Sequence, residues 1–352
     1  MQQPPDRVLI IRLSSVGDIV LSSLLVRVLR QHFPHSEIDY LVKAEFSELM
    51  QHNPYLTRVI QFPTNGTFHD LRSLRRDIRQ RNYGVIIDIH DSLRSRYLCF
   101  GAHRAVRIDK RRIARFFLVK FKWNLYGWFG GAPSVAERYL ETVRQFGITN
   151  DDNGLELFVP DSAHEKVNAF LASSRFNSSK PLIAVCPAAK HQNKMWPQER
   201  FAEAAATLGT DLNAGIVLFG SGPEEEYRAR DIEDQIRKRA PEVPVLNGTG
   251  QLSLLEAAAL MDHCCLVFSN DSGLMHIAAA RKRKILAIFG PTVQEFGFFP
   301  FGTTSSVVEN ATLSCRPCTH IGLPDCPKRH FKCMNDLSVS EVLHSARTLL
   351  QR

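Results

Sequence analysis

No apolar run in this 352-residue sequence approaches the roughly 20 residues that a membrane-spanning helix needs. The first residues also lack the apolar core of a signal peptide, so we expect a cytoplasmic protein. Two nucleotide-binding patterns are missing too. The loop after the first apolar run has neither the glycines of GxGxxG nor the lysine of a P-loop. Neither a dinucleotide site nor a P-loop therefore fits that loop.

The composition is that of a folded protein with an excess of positive charge. Hydrophobic residues make up 44% and charged residues 23% of the chain, which is typical of a globular protein with an ample core. The length predicts two domains of ordinary size. The formal net charge of +8 indicates an anionic partner. Charge alone leaves open whether that partner is nucleic acid, a membrane surface or a phosphorylated small molecule.

Short apolar runs alternate with amphipathic stretches along most of the chain. The run at 7–12 leads into a glycine-containing loop at 13–18 and then a helical pattern. The same order resumes at the apolar run 182–186, after a connection at 149–160 that is rich in Asp, Asn and Gly. Strands alternating with helices predict parallel sheets covered on both faces. We therefore predict two Rossmann-like domains that face each other across a cleft.

Two loops carry candidate functional residues. Asp271-Ser272-Gly273 lies between apolar runs and begins a helical pattern, and a helix N-terminus binds anions through its free N–H groups. An ordinary capped helix explains the same residues. Asp18 begins the first helical pattern and is a candidate general base. Its alternative role is that of a first-turn acid favoured by the helix dipole.

The segment 104–123 departs from the alternating pattern. It carries eight basic residues against the single acid Asp109, with aromatic residues between them. A solvated charged face is one interpretation. The other is a basic, aromatic arm that meets an anionic acceptor or the inner leaflet of a membrane. The basic residues that we select as acceptor-binding candidates are Arg107, Lys110, Arg111 and Arg112.

The eight cysteines fall into two groups. Cys99, Cys186, Cys264 and Cys265 lie in apolar elements and are expected to be small core residues. The other four lie in one loop, where a cytoplasmic protein favours a structural Zn or Fe site over disulfides, with free thiols as the alternative. These predicted metal ligands are Cys315, Cys318, Cys326 and Cys333, with His320 and His330 as substitutes.

Four motifs occur in order along the chain: Ser14-Ser15-Val16-Gly17-Asp18, Lys194-Met195-Trp196-Pro197, Asn270-Asp271-Ser272-Gly273-Leu274-Met275-His276 and Phe289-Gly290-Pro291-Thr292. Together they resemble glycosyltransferase family 9, the lipopolysaccharide heptosyltransferases. The resemblance implies a GT-B fold, an ADP-heptose donor and a lipid A–inner core saccharide acceptor. It also implies inversion at the anomeric carbon, with no cofactor or metal required for catalysis.

The resemblance also implies a division of labour along the chain. We expect an acceptor-binding domain at 1–160 and a nucleotide-sugar-binding domain at 161–337. The last stretch, 338–352, reads as an amphipathic helix capped by Ser338 with Glu341 at the capping-box position. In GT-B proteins such a helix crosses back onto the first domain, and we expect the same here.

Each motif residue takes an expected role in heptosyl transfer. Asp18 is the expected base, and Lys194 pairs with the donor phosphates as a point charge. Asp271 is a cap, a partner for a sugar hydroxyl or a partner for Lys194. Either Glu224 or Glu225 contacts the ribose. The expected donor-binding residues are Ser14, Ser15, Gly17, Lys194, Asp271, Ser272, Gly273 and His276.

The sequence thus predicts an inverting heptosyltransferase of lipopolysaccharide biosynthesis, with peripheral contact to the inner membrane surface and no nucleic-acid partner. One alternative is a GT-B enzyme that uses another nucleotide sugar, for transfer or epimerisation. A second alternative, from a different class, is a basic nucleic-acid-binding protein with a metal knuckle. That alternative leaves the loop motifs around Asp18 and Asp271 unexplained.

Overall fold

A computed structural model describes residues 5–174 and 180–351 of the chain. The ends of the predicted domains 1–160 and 338–352 lie partly outside these residues. The chain divides into two compact units. The first comprises residues 1–110 and 133–158, and the second comprises 111–132 and 159–352.

The first unit is built on a parallel sheet of apolar strands. Within the described residues, this sheet has five strands in the order β3-β2-β1-β4-β5. They are β1 (Arg7–Ile11), β2 (Glu37–Lys43), β3 (Arg58–Phe62), β4 (Val85–Asp88) and β5 (Ala105–Arg107). Strand β1 is central and pairs in parallel with β2 and β4. The loops that follow β1 and β4 therefore meet at one edge of the sheet, where ligands of open α/β sheets bind.

Helices connect the strands of the first unit. They are α1 (Val16–Leu21), α2 (Ser23–His32), α3 (Glu48–Gln51), α4 (Phe68–Gln80) and α5 (Leu93–Cys99). The helical pattern predicted as one helix after the first loop is two helices, because Ser22 separates α1 from α2.

One further segment of the chain between β5 and the end of the first unit contains two helices. They are α6 (Arg112–Phe121) and α7 (Val135–Glu141). Helix α7 belongs to the first unit, whereas α6 lies in residues 111–132 and belongs to the second unit. The first compact unit therefore differs from the predicted domain at 1–160 in residues 111–132, which belong to the second unit. The cause of this difference is the packing of α6 residues Ala114 and Leu118 against Phe296.

The second unit repeats the architecture with a larger sheet. Within the described residues it has six parallel strands in the order β11-β10-β9-β6-β7-β8. They are β6 (Leu182–Cys186), β7 (Gly215–Leu218), β8 (Val245–Asn247), β9 (Cys264–Asn270), β10 (Ile285–Phe289) and β11 (Ser305–Glu309). Strands β6, β9 and β10 are almost wholly buried, as expected for a parallel sheet with both faces covered.

Helices of the second unit cover that sheet. They are α8 (Asp161–Ser173), α9 (Gln198–Asp211), α10 (Pro223–Arg239), α11 (Leu254–Met261), α12 (Gly273–Ala280), α13 (Lys332–Asn335) and α14 (Val339–Leu350). The apolar faces of α9, α10, α13 and α14 join the strands in one core, which includes the fully buried Trp196 and Phe201. None of the helices in the described ranges is both long enough and apolar enough to cross a bilayer.

The last helix belongs to the second unit. Helix α14 packs against β10, β11 and α9, and its residues Val342, Ala346 and Leu349 are buried in that unit's core. The packing that the structure shows for this helix is within the second unit, and packing back on the N-terminal domain stays a prediction. Its amphipathic face finds its apolar partner on the nearest sheet edge. The predicted cap is present, since Ser338 and Glu341 exchange hydrogen bonds.

Candidate functional site

Asp18 lies in the first turn of α1, at the carboxyl edge of the first sheet. Its Oδ2 is 2.6 Å from Arg12 Nη2 and accepts a hydrogen bond from the Ser15 hydroxyl at 3.1 Å. Its Oδ1 accepts a hydrogen bond from the Tyr139 hydroxyl at 3.2 Å. The side chain is 17% exposed, which leaves one face open to a ligand. The structure therefore shows a carboxylate that is held by Arg12 and Tyr139 and that also completes the capping box of α1 with Ser15.

The charge state of Asp18 follows from these contacts. Burial by itself would raise the pKa of Asp18, but the positive charge of Arg12 and the hydrogen bonds from Ser15 outweigh it. The net effect lowers the pKa below its usual value. The group is therefore an ionised carboxylate at neutral pH and is able to accept a proton from a hydroxyl held against it.

Arg12 holds Asp18 in place and was not singled out from the sequence. It is the first residue after β1 and is buried to 7% exposure. Besides pairing with Asp18, its Nη1 donates to the Ile89 carbonyl at 2.7 Å, in the loop after β4. Its position directly after a buried strand could have indicated a functional role for Arg12, because ligands of open α/β sheets bind at the carboxyl ends of the strands.

His90 and Lys110 lie at the same edge of the first sheet. Lys110 Nζ donates to the His90 carbonyl at 2.5 Å. Burial, then the charges of Arg12 and Lys110, lower the pKa of His90 to about 3, so its imidazole is neutral. Lys110 is one of the residues predicted from the sequence, whereas His90 is not. No motif or spacing in the sequence indicates a functional role for His90.

The predicted acceptor-binding cations are divided between the two units. Arg107, on β5, lies 3.8 Å from the buried Asp88 carboxylate. Arg107 and Lys110 both belong to the first unit. Arg111 and Arg112 stand at the start of α6 and belong to the second unit. The structure therefore keeps Arg107 and Lys110 near Asp18's sheet edge and places the other two on a different element.

Lys194 and Asp271 form an ion pair in the second unit. Their Nζ and Oδ2 atoms are 2.6 Å apart, and the two side chains are 12% and 7% exposed. The Thr292 hydroxyl donates to the same Asp271 oxygen at 2.8 Å. Among the three roles left open for Asp271, the structure shows the pairing with Lys194. Together with Thr292, the pair links three of the four sequence motifs.

The N-terminus of α12 follows Asp271 directly and has the geometry of an anion-binding site. Ser272 is the N-cap in an extended conformation, and Gly273 is the first helical residue. The first N–H groups of a helix have no partner within the helix and carry its positive dipole end. His276, one turn later, is 3% exposed, and its ring lies 6.3 Å from the Phe298 ring. Any donor contact by His276 is limited to a small part of the ring.

Two other motif residues are structural. The Trp196 indole N–H donates to the Leu337 carbonyl at 3.2 Å, inside the core of the second unit. The Asn270 side chain accepts from the Trp196 N–H at 3.2 Å and donates to the Pro187 carbonyl at 2.7 Å. These contacts tie the loop that carries Lys194 to the strand that carries Asp271. They explain why Trp196 follows Lys194 and why Asn270 precedes Asp271 in the two motifs.

Glu225 is the better placed of the two ribose candidates. It lies in the first turn of α10, after β7, and accepts a hydrogen bond from the Ser221 N–H at 2.7 Å. Burial raises its pKa. Glu224 is exposed. The structure thus places Glu225, rather than Glu224, against the loop at the carboxyl edge of the second sheet.

The cysteine loop brings its thiols near one another without forming a ready metal site. Burial, then the neighbouring Cys326 and Cys315, raise the pKa of Cys318. Burial raises the pKa of Cys333 to about 12. Cys315 Sγ lies 3.9 Å from His330 Nε2. Over the described ranges, no group of three or more His, Cys, Asp or Glu side chains is arranged to hold a metal ion.

Comparison with known proteins identifies the family. The family model described as glycosyltransferase family 9 (heptosyltransferase) matches residues 71–325, which is more than half of the chain. The chain belongs to glycosyltransferase family 9. It is 30% identical over 307 residues to lipopolysaccharide heptosyltransferase 2 of Salmonella typhimurium, with 82% of this chain and 84% of that protein covered.

Solved structures of family 9 proteins share the fold. A family 9 glycosyltransferase from Veillonella parvula matches with a TM-score of 0.80 at 22% identity, over 100% of this chain and 99% of that chain. ADP-heptose lipopolysaccharide heptosyltransferase II of Escherichia coli matches with a TM-score of 0.72 at 23% identity, over 98% of both chains. With the two parallel sheets, these matches confirm the predicted GT-B fold for this family 9 glycosyltransferase.

Proposed function

We propose that this family 9 enzyme is an inverting heptosyltransferase. It moves a heptose from ADP-heptose to the lipid A–inner core saccharide in lipopolysaccharide biosynthesis. The observation that carries the proposal is the family match over residues 71–325, supported by the 30% identity to a lipopolysaccharide heptosyltransferase. The two held carboxylates and the helix N-terminus at α12 supply the chemistry that such a transfer needs.

Asp18 is the proposed base on the acceptor side. As the acceptor hydroxyl oxygen attacks the anomeric carbon, its proton passes to the Asp18 carboxylate. The bond between that carbon and the diphosphate oxygen breaks at the same time, and ADP leaves. A single displacement from the opposite face inverts the anomeric centre. The support is the partly exposed carboxylate that Arg12 keeps ionised and Tyr139 orients.

The proposed donor site stabilises the negative charge of the leaving diphosphate. Lys194 supplies a positive charge, and the N–H groups at Ser272 and Gly273 supply hydrogen bonds to phosphate oxygens. Asp271 holds Lys194 in position rather than touching the diphosphate, because both are anionic. Ser14, Ser15, Gly17 and His276 remain predicted donor contacts, and Glu225 is the proposed ribose contact.

The acceptor and the place of action follow from the proposed reaction. A phosphorylated lipid A–core saccharide is anionic, which suits the predicted contacts with Arg107, Lys110, Arg111 and Arg112. Because that acceptor is anchored in lipid, we propose that the enzyme works in the cytoplasm, at the inner face of the inner membrane.

We propose that no metal takes part in the transfer and that a metal, if bound, is structural. The four thiols of the cysteine loop are the donor set that Zn and Fe prefer. Binding requires those side chains to turn toward one point, because they do not yet form a group that holds an ion. Elemental analysis of the purified protein and of Cys318→Ser tests this. A metal that is lost in the variant while transfer from ADP-heptose continues is expected, whereas loss of transfer together with the metal contradicts the proposal.

The first experiment measures thermal protection by ADP, UDP, GDP and CDP, with duplex DNA and RNA as further ligands. A ligand at about 100 times its dissociation constant adds roughly 2.7 kcal/mol to stability. Protection by ADP alone is expected. Transfer from ADP-heptose to a core acceptor is then measured directly.

Other outcomes of that experiment assign the protein differently. Protection by UDP or GDP keeps the GT-B enzyme and changes the donor. Consumption of donor without an acceptor points to epimerisation or hydrolysis. Protection by nucleic acid alone overturns the enzyme proposal.

A further inference from the structure

The segment at residues 111–132 combines positive charge with exposed aromatic rings. It carries the five cations Arg111, Arg112, Arg115, Lys120 and Lys122 and no acidic residue. It belongs to the second unit, although the chain on both sides of it belongs to the first. The reaction proposed above uses Arg111 and Arg112 at most, so the aromatic rings have no role in it.

The inner face of this segment is packed and fixed. Ala114 and Leu118 of α6 are buried with Tyr126 and Phe296 in a small core of their own. Lys122 Nζ donates to the Pro317 carbonyl at 2.6 Å, and the Asn124 amide donates to Glu295 at 2.9 Å. These contacts hold α6 on the second unit. The residues on its other face are therefore presented by a rigid support.

The outer face carries a cluster of rings, which we call the aromatic surface: Phe116, Phe117, Phe121 and Trp123. Phe116, Phe121 and Trp123 are 53%, 51% and 59% exposed. The ring centroid of Phe121 lies 6.0 Å from that of Phe116 and 5.4 Å from that of Trp123. Phe117 and Trp123 are stacked at 5.9 Å. Large apolar side chains that cluster on a surface mark an interaction site rather than scattered exposure.

We propose that the aromatic surface docks the enzyme on a bilayer that contains anionic lipid. Aromatic rings and basic residues on one amphipathic helix are the composition of an interfacial helix, whose rings enter the headgroup region while its cations meet anionic headgroups. The net positive charge of residues 111–132, which include five basic residues and no acidic one, provides the charge complementarity. The rings pack on one another, which leaves few open faces for stacking on nucleic-acid bases.

This inference rests on the proposed function, because a lipid-anchored acceptor explains why the enzyme meets a membrane at all. It adds that the docking element is carried by the nucleotide-sugar-binding unit and consists of specific rings. The aromatic surface thus lies on the second unit, although the predicted acceptor domain at 1–160 includes residues 111–132.

The test measures binding to vesicles of phosphatidylethanolamine and phosphatidylglycerol, by co-sedimentation and by quenching of tryptophan fluorescence with brominated lipid. The full-length enzyme is expected to bind, and to bind vesicles of phosphatidylcholine alone more weakly. The triple variant Phe116→Ser, Phe121→Ser, Trp123→Ser is expected to lose about tenfold or more in vesicle affinity. The matched control is Tyr227→Ser, which removes another ring of the second unit that is 76% exposed.

Two acceptors separate this proposal from the proposed function. The triple variant is expected to glycosylate a deacylated acceptor in solution at the wild-type rate and a vesicle-embedded acceptor more slowly. If the wild-type enzyme does not glycosylate the soluble acceptor, the proposed function is contradicted. The vesicle-binding measurement then still tests the docking proposal by itself. Unchanged vesicle binding by the triple variant overturns the docking. So does the finding that the aromatic surface binds RNA or a second copy of the chain instead.

Discussion

At the scale of single residues, each unit holds one aspartate against one cation at the carboxyl edge of its sheet. Arg12 lies 2.6 Å from Asp18, and Lys194 lies 2.6 Å from Asp271. The pairs act differently in the proposed reaction. Arg12 keeps the Asp18 carboxylate ionised, so a base is always present, although a lowered pKa makes it a weaker one. Asp271 positions a lysine whose charge is used on the leaving group.

The first prediction concerns Asp18→Asn. The amide keeps the size of the side chain but cannot accept the acceptor proton, so kcat is expected to fall by about 10²–10⁴-fold. Thermal protection by ADP is expected to stay, because Lys194 and the start of α12 lie in the second unit and are unchanged by the substitution. The measurement is the rate of transfer to a soluble acceptor. Near-normal turnover by the variant would remove Asp18 as the base.

The second prediction concerns the Lys194–Asp271 pair. Lys194→Met and Asp271→Asn each leave a mostly buried partner without its counter-charge, so each is expected to cost about 3 kcal/mol of unfolding free energy. The double variant is expected to cost less than the sum, since no lone charge remains. Urea denaturation of the three variants gives these values. Additive losses would show that the pair is not coupled.

At the scale of elements, packing decides which apolar surface covers two of the helices. Helix α6 lies in the first half of the sequence but packs with Phe296 in the second unit, and α14 packs on the second sheet. Both are amphipathic helices. Periodicity shows that such a helix has an apolar face, but any apolar surface can satisfy that face. Contacts between distant residues decide the choice.

The third prediction tests the assignment of α14. Leu349 is 1% exposed in the core of the second unit, so Leu349→Ala is expected to cost about 3 kcal/mol of unfolding free energy. The readout is the fluorescence of Trp196, whose indole donates to the Leu337 carbonyl just before α14. Trp123 and Trp128 are replaced by Phe to isolate that signal. The neighbouring exposed Thr348→Ala is the control, and an equal loss in both variants would argue against the packing.

At the scale of the whole molecule, stability depends on groups whose pKa changes on folding. His90 has a pKa lowered to about 3 by burial and by the charges of Arg12 and Lys110. In an unfolded chain a histidine has a pKa of about 6.5. Between these values the unfolded state binds a proton that the folded state does not. Stability is therefore intact above about pH 6.5 and is lost as the pH falls toward the folded value.

The fourth prediction is this acid dependence. One such group changes the unfolding free energy by up to about 1.4 kcal/mol per pH unit. His90→Gln cannot titrate, so its stability is expected to fall less steeply than that of the wild type between about pH 6 and pH 4. Urea denaturation at several pH values gives the slopes. His103→Gln is the control, and equal slopes in all three proteins would assign the acid loss to other groups.

The sequence by itself determined the two parallel α/β units, the family and the positions of Asp18, Lys194, Asp271 and the start of α12. These features are local. Residues close together in the sequence determine the hydrophobic periods of strands and helices and the loops at strand ends. Tertiary structure alone decided that Arg12, Tyr139 and His90 surround the base, since Tyr139 is 121 residues from Asp18. It also decided the unit to which α6 and α14 belong, because burial of an apolar face depends on which surface the folded chain brings to it.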